Sequence, residues 1–314
     1  MQQAPFHQLP DDTSAPARAF FVMADDGRRL RLALWQPQGA DVGGTVLLFP
    51  GRTEYVEKYA PIAHRLTDEG YAVLAIDWRG QGMSDRLQDD PRPGHITEFS
   101  DYQRDVDQMV AAAEQLELPR PWHLLAHSMG GCIGLAALQN GLPVESAVFS
   151  APMWGISLRP FQHGAARGIA SLAGRIGRGG SVVPGSGGAS DTYVLDESFN
   201  NNLLTGNVDE WARLVREAAN WPQLTIGGAS FDWVGQALNE CSRLSRLASP
   251  DIPMLVSLGS EEKVVAAQAI RDRVKCWPNG RLLEIAGARH EVMIETSDRR
   301  QQFMTAMLAH FKAS

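Results

Sequence analysis

A serine lies between an apolar run and a helical run in Ala126-His127-Ser128-Met129-Gly130-Gly131. A hydroxyl is a weak nucleophile until a neighbouring base takes its proton and a third group orients that base. A serine at a sharp strand-to-helix turn is well placed for this, because the turn projects its oxygen out of the sheet. The backbone there is strained, so the positions two before and two after must be small. Gly130 fills the second of these, and Ala126 replaces the first glycine of G-x-S-x-G with the mildest alternative. The amides that open the following helix favour negative charge at the same spot. The plainer reading is a Ser/Gly turn capping an ordinary helix. The strand before it and the helix after it favour chemistry. Cys132, on the same helix, reads as a small buried core residue.

Strands and helices alternate around this turn. Ala19–Met23 and Leu30–Trp35 flank Asp25-Asp26-Gly27 as a hairpin. Apolar runs predict strands over Thr45–Phe49, Tyr71–Ile76, Trp122–Ala126, Val144–Ser150, Met254–Leu258 and Leu282–Ile285. Helical spacing covers Tyr55–Glu69, Phe99–Leu118, Met129–Gln139, Val264–Lys275 and Ser297–Phe311. This alternation implies an α/β class with a mostly parallel sheet flanked by helices. From Pro152 to about Ser249 the rhythm breaks into a stretch rich in Gly, Ser, Asn and Trp, with a loop expected from Gly177 to Gly188. Such an insert reads as a mainly helical lid over the strands' carboxyl ends, where open α/β sheets bind ligands. The expected organisation is a loose N-terminal tail over 1–16, a core from 17–151 and 251–314, and a lid over 152–250.

Composition narrows the classes. A chain of 314 residues, 44% hydrophobic, suits one large domain with an inserted lobe. A net charge of −7 gives no reason to expect nucleic-acid binding. No run approaches the ~18 apolar residues of a spanning helix. The opening residues carry Asp11 and Asp12 and no apolar run, so no secretory signal is expected there. Three widely spaced cysteines, Cys132, Cys241 and Cys276, argue against a disulfide framework or a CxxC metal site. A reducing, cytoplasmic setting is expected, with peripheral membrane contact left open.

Five segments resemble the lysophospholipase L2 and monoacylglycerol lipase group of the α/β-hydrolases. They are Phe49-Pro50-Gly51-Arg52-Thr53-Glu54, Asp77-Trp78-Arg79-Gly80-Gln81-Gly82-Met83-Ser84, Phe99-Ser100-Asp101-Tyr102, His127-Ser128-Met129-Gly130-Gly131 and Gly287-Ala288-Arg289-His290-Glu291. They span most of the chain outside the insert. The second is widespread in the superfamily, whereas Pro50-Gly51-Arg52 points to the lysophospholipase L2 branch.

The resemblance implies an α/β-hydrolase fold and the chain order serine, acid, histidine. Of eight histidines only His290 and His310 follow the insert. His290 sits in a loop after the last expected strand and is the expected base. His310 falls in the final helix and is expected at the surface, and His127 is expected to point away from the chemistry. The acid belongs in Gly259-Ser260-Glu261-Glu262-Lys263-Val264-Val265. Relatives show Asp in a Gly-x-x-Asp-x-Val-Val pattern, and Glu262 occupies that position with one methylene more. Glu261 is its rival, and both could instead charge the first turn of the next helix. The tetrahedral oxyanion needs fixed N–H donors. One is the Met129 amide. Pro50 has no N–H, so the resemblance implies the Arg52 amide as the other. The Arg52 guanidinium suits either a substrate phosphate or an ion pair with Glu54 or Glu57.

Leu158 to Arg178 carries Arg159, Arg167, Arg175 and Arg178 and no acidic residue, with Phe161, Ala165, Ile169, Leu172 and Ile176 at helical spacing. Such a helix lies on an anionic membrane surface, gates an acyl-chain pocket, or packs on the main domain with its arginines solvated. Trp154, Trp211, Trp221, Phe231 and Trp233 either line an apolar pocket or form the lid's own core. The expected activity is hydrolysis of a carboxylic ester of a monoacyl lipid, a lysophospholipid or monoacylglycerol, through an acyl-enzyme on Ser128. No metal or cofactor is expected, and the partner is a small acyl-ester substrate. A general carboxylesterase and a prolyl-aminopeptidase-like hydrolase remain rivals, since fold does not fix substrate. A catalytically silent binding protein on the same fold is the rival of another class.

Overall fold

The computed structural model describes residues 1–12, 17–39, 42–157, 160–186 and 192–314. Expectations on residues 13–16, Leu158, Arg159, Gly187, Gly188 and the Phe161 side chain lie outside these. The strands, in chain order, are β1 (Gln2–Gln3), β2 (Arg18–Met23), β3 (Arg29–Trp35), β4 (Gly44–Phe49), β5 (Tyr71–Asp77), β6 (Trp122–His127), β7 (Ser146–Ser150), β8 (Met254–Gly259) and β9 (Gly280–Ile285). The helices are α1 (Ala60–Asp68), α2 (Asp101–Gln115), α3 (Met129–Gln139), α4 (Pro160–Arg175), α5 (Tyr193–Asp196), α6 (Val208–Asn220), α7 (Phe231–Leu244), α8 (Ala267–Lys275) and α9 (Ser297–Lys312).

The strands form one sheet in the order β1-β2-β3-β5-β4-β6-β7-β8-β9. The pairs up to β3–β5 are antiparallel, and every pair from β5–β4 onward is parallel. β4 to β8 are buried along their whole lengths, as expected of parallel strands covered on both faces. Alternate residues serve the two faces. Leu47 and Phe49 join the cluster under α2 and α3, and Val46 and Leu48 join the one under α1 and α9.

Three expectations need correcting. Residues 1–12 are not a loose tail. Gln2 and Gln3 pair with Phe21 and Phe20, Ala4 and Leu9 are buried, and His7 stacks on Trp221 at 5.2 Å. His310 is buried, because α9 presents it on the same face as Phe303, Met307 and Phe311. That spacing is one helical stripe, and it faces the sheet. The run Tyr55–Glu69 is divided into a 3-10 turn, Val56–Tyr59, and α1, with Pro61 near the α1 start.

Between β7 and β8 the chain forms α4 to α7. α4 packs on α7 closely enough that a Cβ on Gly235 would lie 3.1 Å from Ala170 Cβ. The aromatic residues of this segment do not gather in one place. Trp154 stacks with Trp277 in the main core, Trp211 meets Tyr193, and Trp221 meets His7. On α4 and just beyond it, Ile169, Leu172 and Ile176 are 56%, 59% and 66% exposed. The apolar stripe therefore faces outward while Ala170 and Ala173 face inward. Among the described residues no helix is long and apolar enough to cross a membrane.

Candidate active site

Ser128 sits between β6 and α3 with φ +48°, a strained conformation for a residue with a side chain. Its surroundings explain the small neighbours. A Cβ on Gly130 would lie 2.1 Å from the Phe49 carbonyl oxygen, and one on Gly131 would lie 2.4 Å from Pro152 Cβ. At the position before the serine where relatives of the pattern carry glycine, the Ala126 methyl faces Gly134, whose own Cβ would sit 3.4 Å away. The glycine on the helix leaves room for alanine on the strand.

Ser128 Oγ lies 3.0 Å from His290 Nε2, and His290 Nδ1 lies 2.7 Å from Glu262 Oε2. An ionised carboxylate can only accept, so the Nδ1–H donates to Glu262 and Nε2 is left to accept the serine proton. The other Glu262 oxygen, Oε1, accepts the amides of Val264 and Val265 at 2.6 and 3.0 Å. These bonds occupy the Val264 and Val265 amides, and α8 starts only at Ala267. Burial alone would raise the Glu262 carboxyl pKa, but His290 and the two amides hold it below the ordinary value. Glu261 is exposed. The loops carrying Glu262 and His290 touch at Gly259, where a Cβ would lie 2.3 Å from the Ala288 oxygen.

The loop after β4 is braced from several sides. Trp78 Nε1 donates to Pro50 O at 2.8 Å, Gln81 Nε2 donates to Gly51 O at 3.0 Å, and the Thr53 amide donates to Gln81 Oε1 at 2.9 Å. The Gly51 amide is taken by the Glu54 carboxylate. Among the described residues the amides of Arg52 and Met129 donate to no protein acceptor. The Arg52 side chain makes neither of the ion pairs considered from the sequence. Its Nη1 donates to Gly227 O at 3.3 Å and its guanidinium lies 5.2 Å from the Trp233 ring centre. Glu57 is already held by Arg31, and Glu54 by Lys58.

The Asp-x-Arg-Gly-x-Gly-x-Ser stretch is mostly scaffold. Asp77 accepts from Arg31 Nε and the Val56 and Met83 amides, at 2.7, 2.9 and 2.8 Å. A Cβ on Gly82 would fall 2.1 Å from that carboxylate. Arg79 pairs with Asp105 and Asp26 at 2.8 Å each. Gln81 is the exception, because it braces the Arg52 loop. Nothing in the residue pattern marks that role.

A second cluster lies behind the serine and was also missed. Glu54, Lys58, His127 and Glu291 are all buried. Lys58 Nζ lies 2.5 Å from Glu54 Oε1 and 2.6 Å from Glu291 Oε1. Glu54, His127 and Glu291 offer a donor set of the kind that holds a metal ion. Here the Lys58 ammonium already occupies the cation's place between the two carboxylates. The only available sequence signal was the spacing of Glu54 and Lys58, one helical turn apart.

Residues 40–297 match the family model described as serine aminopeptidase, S33. The probable lysophospholipase L2 of Haemophilus influenzae is 30% identical over 286 residues, covering 89% of this chain and 88% of that protein. Lysophospholipase L2 of Escherichia coli (strain K12) is 33% identical over 281 residues, covering 85% and 79%. Among solved structures, a soluble variant of monoglyceride lipase from Saccharomyces cerevisiae in complex with a substrate analog superposes with a TM-score of 0.76, covering 98% of this chain and 99% of that one. At 17% identity that likeness speaks for the fold alone.

Proposed function

Because this chain belongs to the serine aminopeptidase S33 family of α/β-hydrolases, and within it to the lysophospholipase L2 group, we propose that it hydrolyses the carboxylic ester of a monoacyl lipid through an acyl-enzyme on Ser128. The observation that carries this reading is the hydrogen-bonded chain from Ser128 through His290 to Glu262. The lysophospholipid class is suggested by the two bacterial relatives, and the monoacylglycerol class by the resemblance of the sequence motifs.

In this mechanism Ser128 Oγ attacks the ester carbonyl while His290 Nε2 takes its proton. Glu262 keeps the imidazole in the required tautomer and stabilises the imidazolium. The amides of Arg52 and Met129 receive the developing oxyanion. Collapse of the intermediate expels the alcohol, which takes its proton from His290. Water then attacks the acyl-enzyme with His290 again as base, releasing the fatty acid and restoring Ser128.

The segment with α4 to α7 serves in this reading as a lid that meets the lipid surface. Its outward Ile169, Leu172 and Ile176 lie beside Arg175 and Arg178 in a chain of net charge −7. An apolar stripe flanked by cations suits the boundary of an anionic membrane.

Purified protein should release fatty acid from lysophosphatidylcholine or monoacylglycerol and leave aminoacyl p-nitroanilides intact. Turnover of the anilides without turnover of either lipid would replace this reading with the peptidase that the family description names.

A further inference from the structure

We propose that Glu54, Lys58, His127 and Glu291 form a charge-balanced clasp that sets the relative positions of Ser128, His290 and the Arg52 amide, with Glu291 as its central positioning residue. The proposal rests on the catalytic reading of Ser128. The clasp joins the end of β6 to two loops, and each joint lies one or two residues from a proposed reacting group. His127 precedes Ser128, Glu291 follows His290, and Glu54 lies two residues beyond Arg52.

The charge contacts run as a closed circuit. Lys58 bridges Glu54 and Glu291 at 2.5 and 2.6 Å. Glu291 Oε2 then lies 3.2 Å from His127 Nε2, and Glu54 Oε1 lies 3.6 Å from the same nitrogen, as ion-pair contacts and not aligned hydrogen bonds. Glu54 also accepts from the Gly51 amide and the Tyr59 hydroxyl, so it fixes the loop that carries Arg52. None of the four side chains is more than 6% exposed, so water screens these charges little.

The protonation state follows from the partners. His127 Nδ1 lies 2.9 Å from the Ser150 carbonyl oxygen, and its Nε2 faces only carboxylates. The Ser150 oxygen accepts from Nδ1, and two buried carboxylates beside Nε2 favour a second proton there, which makes the ring an imidazolium. Two cations then balance two anions. Burial would lower the His127 pKa, but Glu291 and Glu54 raise it above the ordinary value. Burial would raise that of Glu291, but His127 and Lys58 hold it well below. A buried ion network is a poor way to gain stability over apolar packing. It is a good way to hold the end of β6 and two loops in one register, because each charge must keep its partner.

The test is Glu291→Gln, which keeps the shape and removes one charge. Rates are divided by the number of sites that a fluorophosphonate probe labels to completion, so unfolded protein does not count. We expect kcat per labelled site to fall about 10- to 100-fold with KM within about twofold, as small misplacements of reacting groups do. The groups facing His127 are Glu54, Glu291, Lys58 and the His290 ring, whose centre is 4.8 Å away, with Glu262 beyond it. Without Glu291, His127 loses its nearest anion and titrates at lower pH. The pH profile of kcat should therefore gain an ionisation that the wild type lacks, and Glu291→Asp should remove it again. A purely structural cluster would lower the folded yield but leave per-site kcat and the pH profile unchanged, and that result overturns the proposal. Should Glu291→Gln fail to accumulate, Lys58→Gln cuts the same circuit from the other side, and wild-type per-site values there overturn it equally. If the wild type itself takes no label, the reading of Ser128 fails and not the clasp alone.

Discussion

Glu262 holds His290 with one carboxylate oxygen and its own loop with the other. Oε2 lies 2.7 Å from His290 Nδ1, while Oε1 accepts two consecutive backbone amides. The extra methylene of glutamate is thus absorbed by a loop that the same side chain pins. In the proposed mechanism Glu262→Gln removes the charge that stabilises the imidazolium and invites the wrong tautomer. It should lower kcat by a factor on the order of 10³–10⁴. Glu261→Gln should leave kcat within about twofold. Steady-state kinetics on a soluble ester check both, and equal losses would move the acid elsewhere.

The elbow has no room at Gly130 and some room at Ala126. Gly130→Ala places a methyl where the Phe49 carbonyl already lies. It should cost more than about 4 kcal/mol or yield no soluble protein. Ala126→Gly should cost at most about 1 kcal/mol, through chain entropy. Denaturant unfolding distinguishes the two.

Stability should fall on both sides of a middle pH range. Glu262 and Glu291 have folded pKa values below the ordinary 4.5. Their contribution is complete above that value and is lost as pH falls through the folded values. His127 works in the opposite sense. Its folded pKa lies above 6.5, so its contribution is complete below 6.5 and is lost as pH rises through the folded value. Thermal melts across pH should show both limbs. In Glu262→Gln the deficit relative to wild type should shrink on acidification below 4.5, and a growing deficit would contradict the assignment.

The outward stripe on α4 predicts a surface effect separate from chemistry. Replacing Ile169, Leu172 and Ile176 together by serine should lower the ratio of vesicle-borne to dissolved ester turnover about tenfold. Anionic vesicles should show the larger loss, since the flanking arginines favour them. An unchanged ratio would leave the stripe without a membrane role.

Much of the fold was legible because buried parallel strands are continuous apolar runs, and Thr45–Phe49, Tyr71–Ile76 and Trp122–Ala126 each lie within an observed strand. Within the candidate site, Ser128 was legible from the residue types that its turn requires, and His290 and Glu262 through the family resemblance. Three kinds of feature were not. The docking of residues 1–12 rests on edge pairing and a few buried apolar residues, too short a pattern to read. The burial of His310 was readable from its stripe, but a polar residue near a helix end invites the opposite reading. The cluster of Glu54, Lys58, His127 and Glu291 joins residues 233 positions apart between Lys58 and Glu291. Only the closing of the sheet brings them together, and no local spacing announces it.

In the proposed mechanism Ser128 becomes acylated and His290 drives the step. Incubation with a fluorophosphonate probe, followed by peptide mass mapping, tests it most directly. One adduct is expected on Ser128 in wild type, none in Ser128→Ala, and strongly slowed labelling in His290→Ala. An unlabelled wild type, or equal labelling of Ser128→Ala, would contradict it.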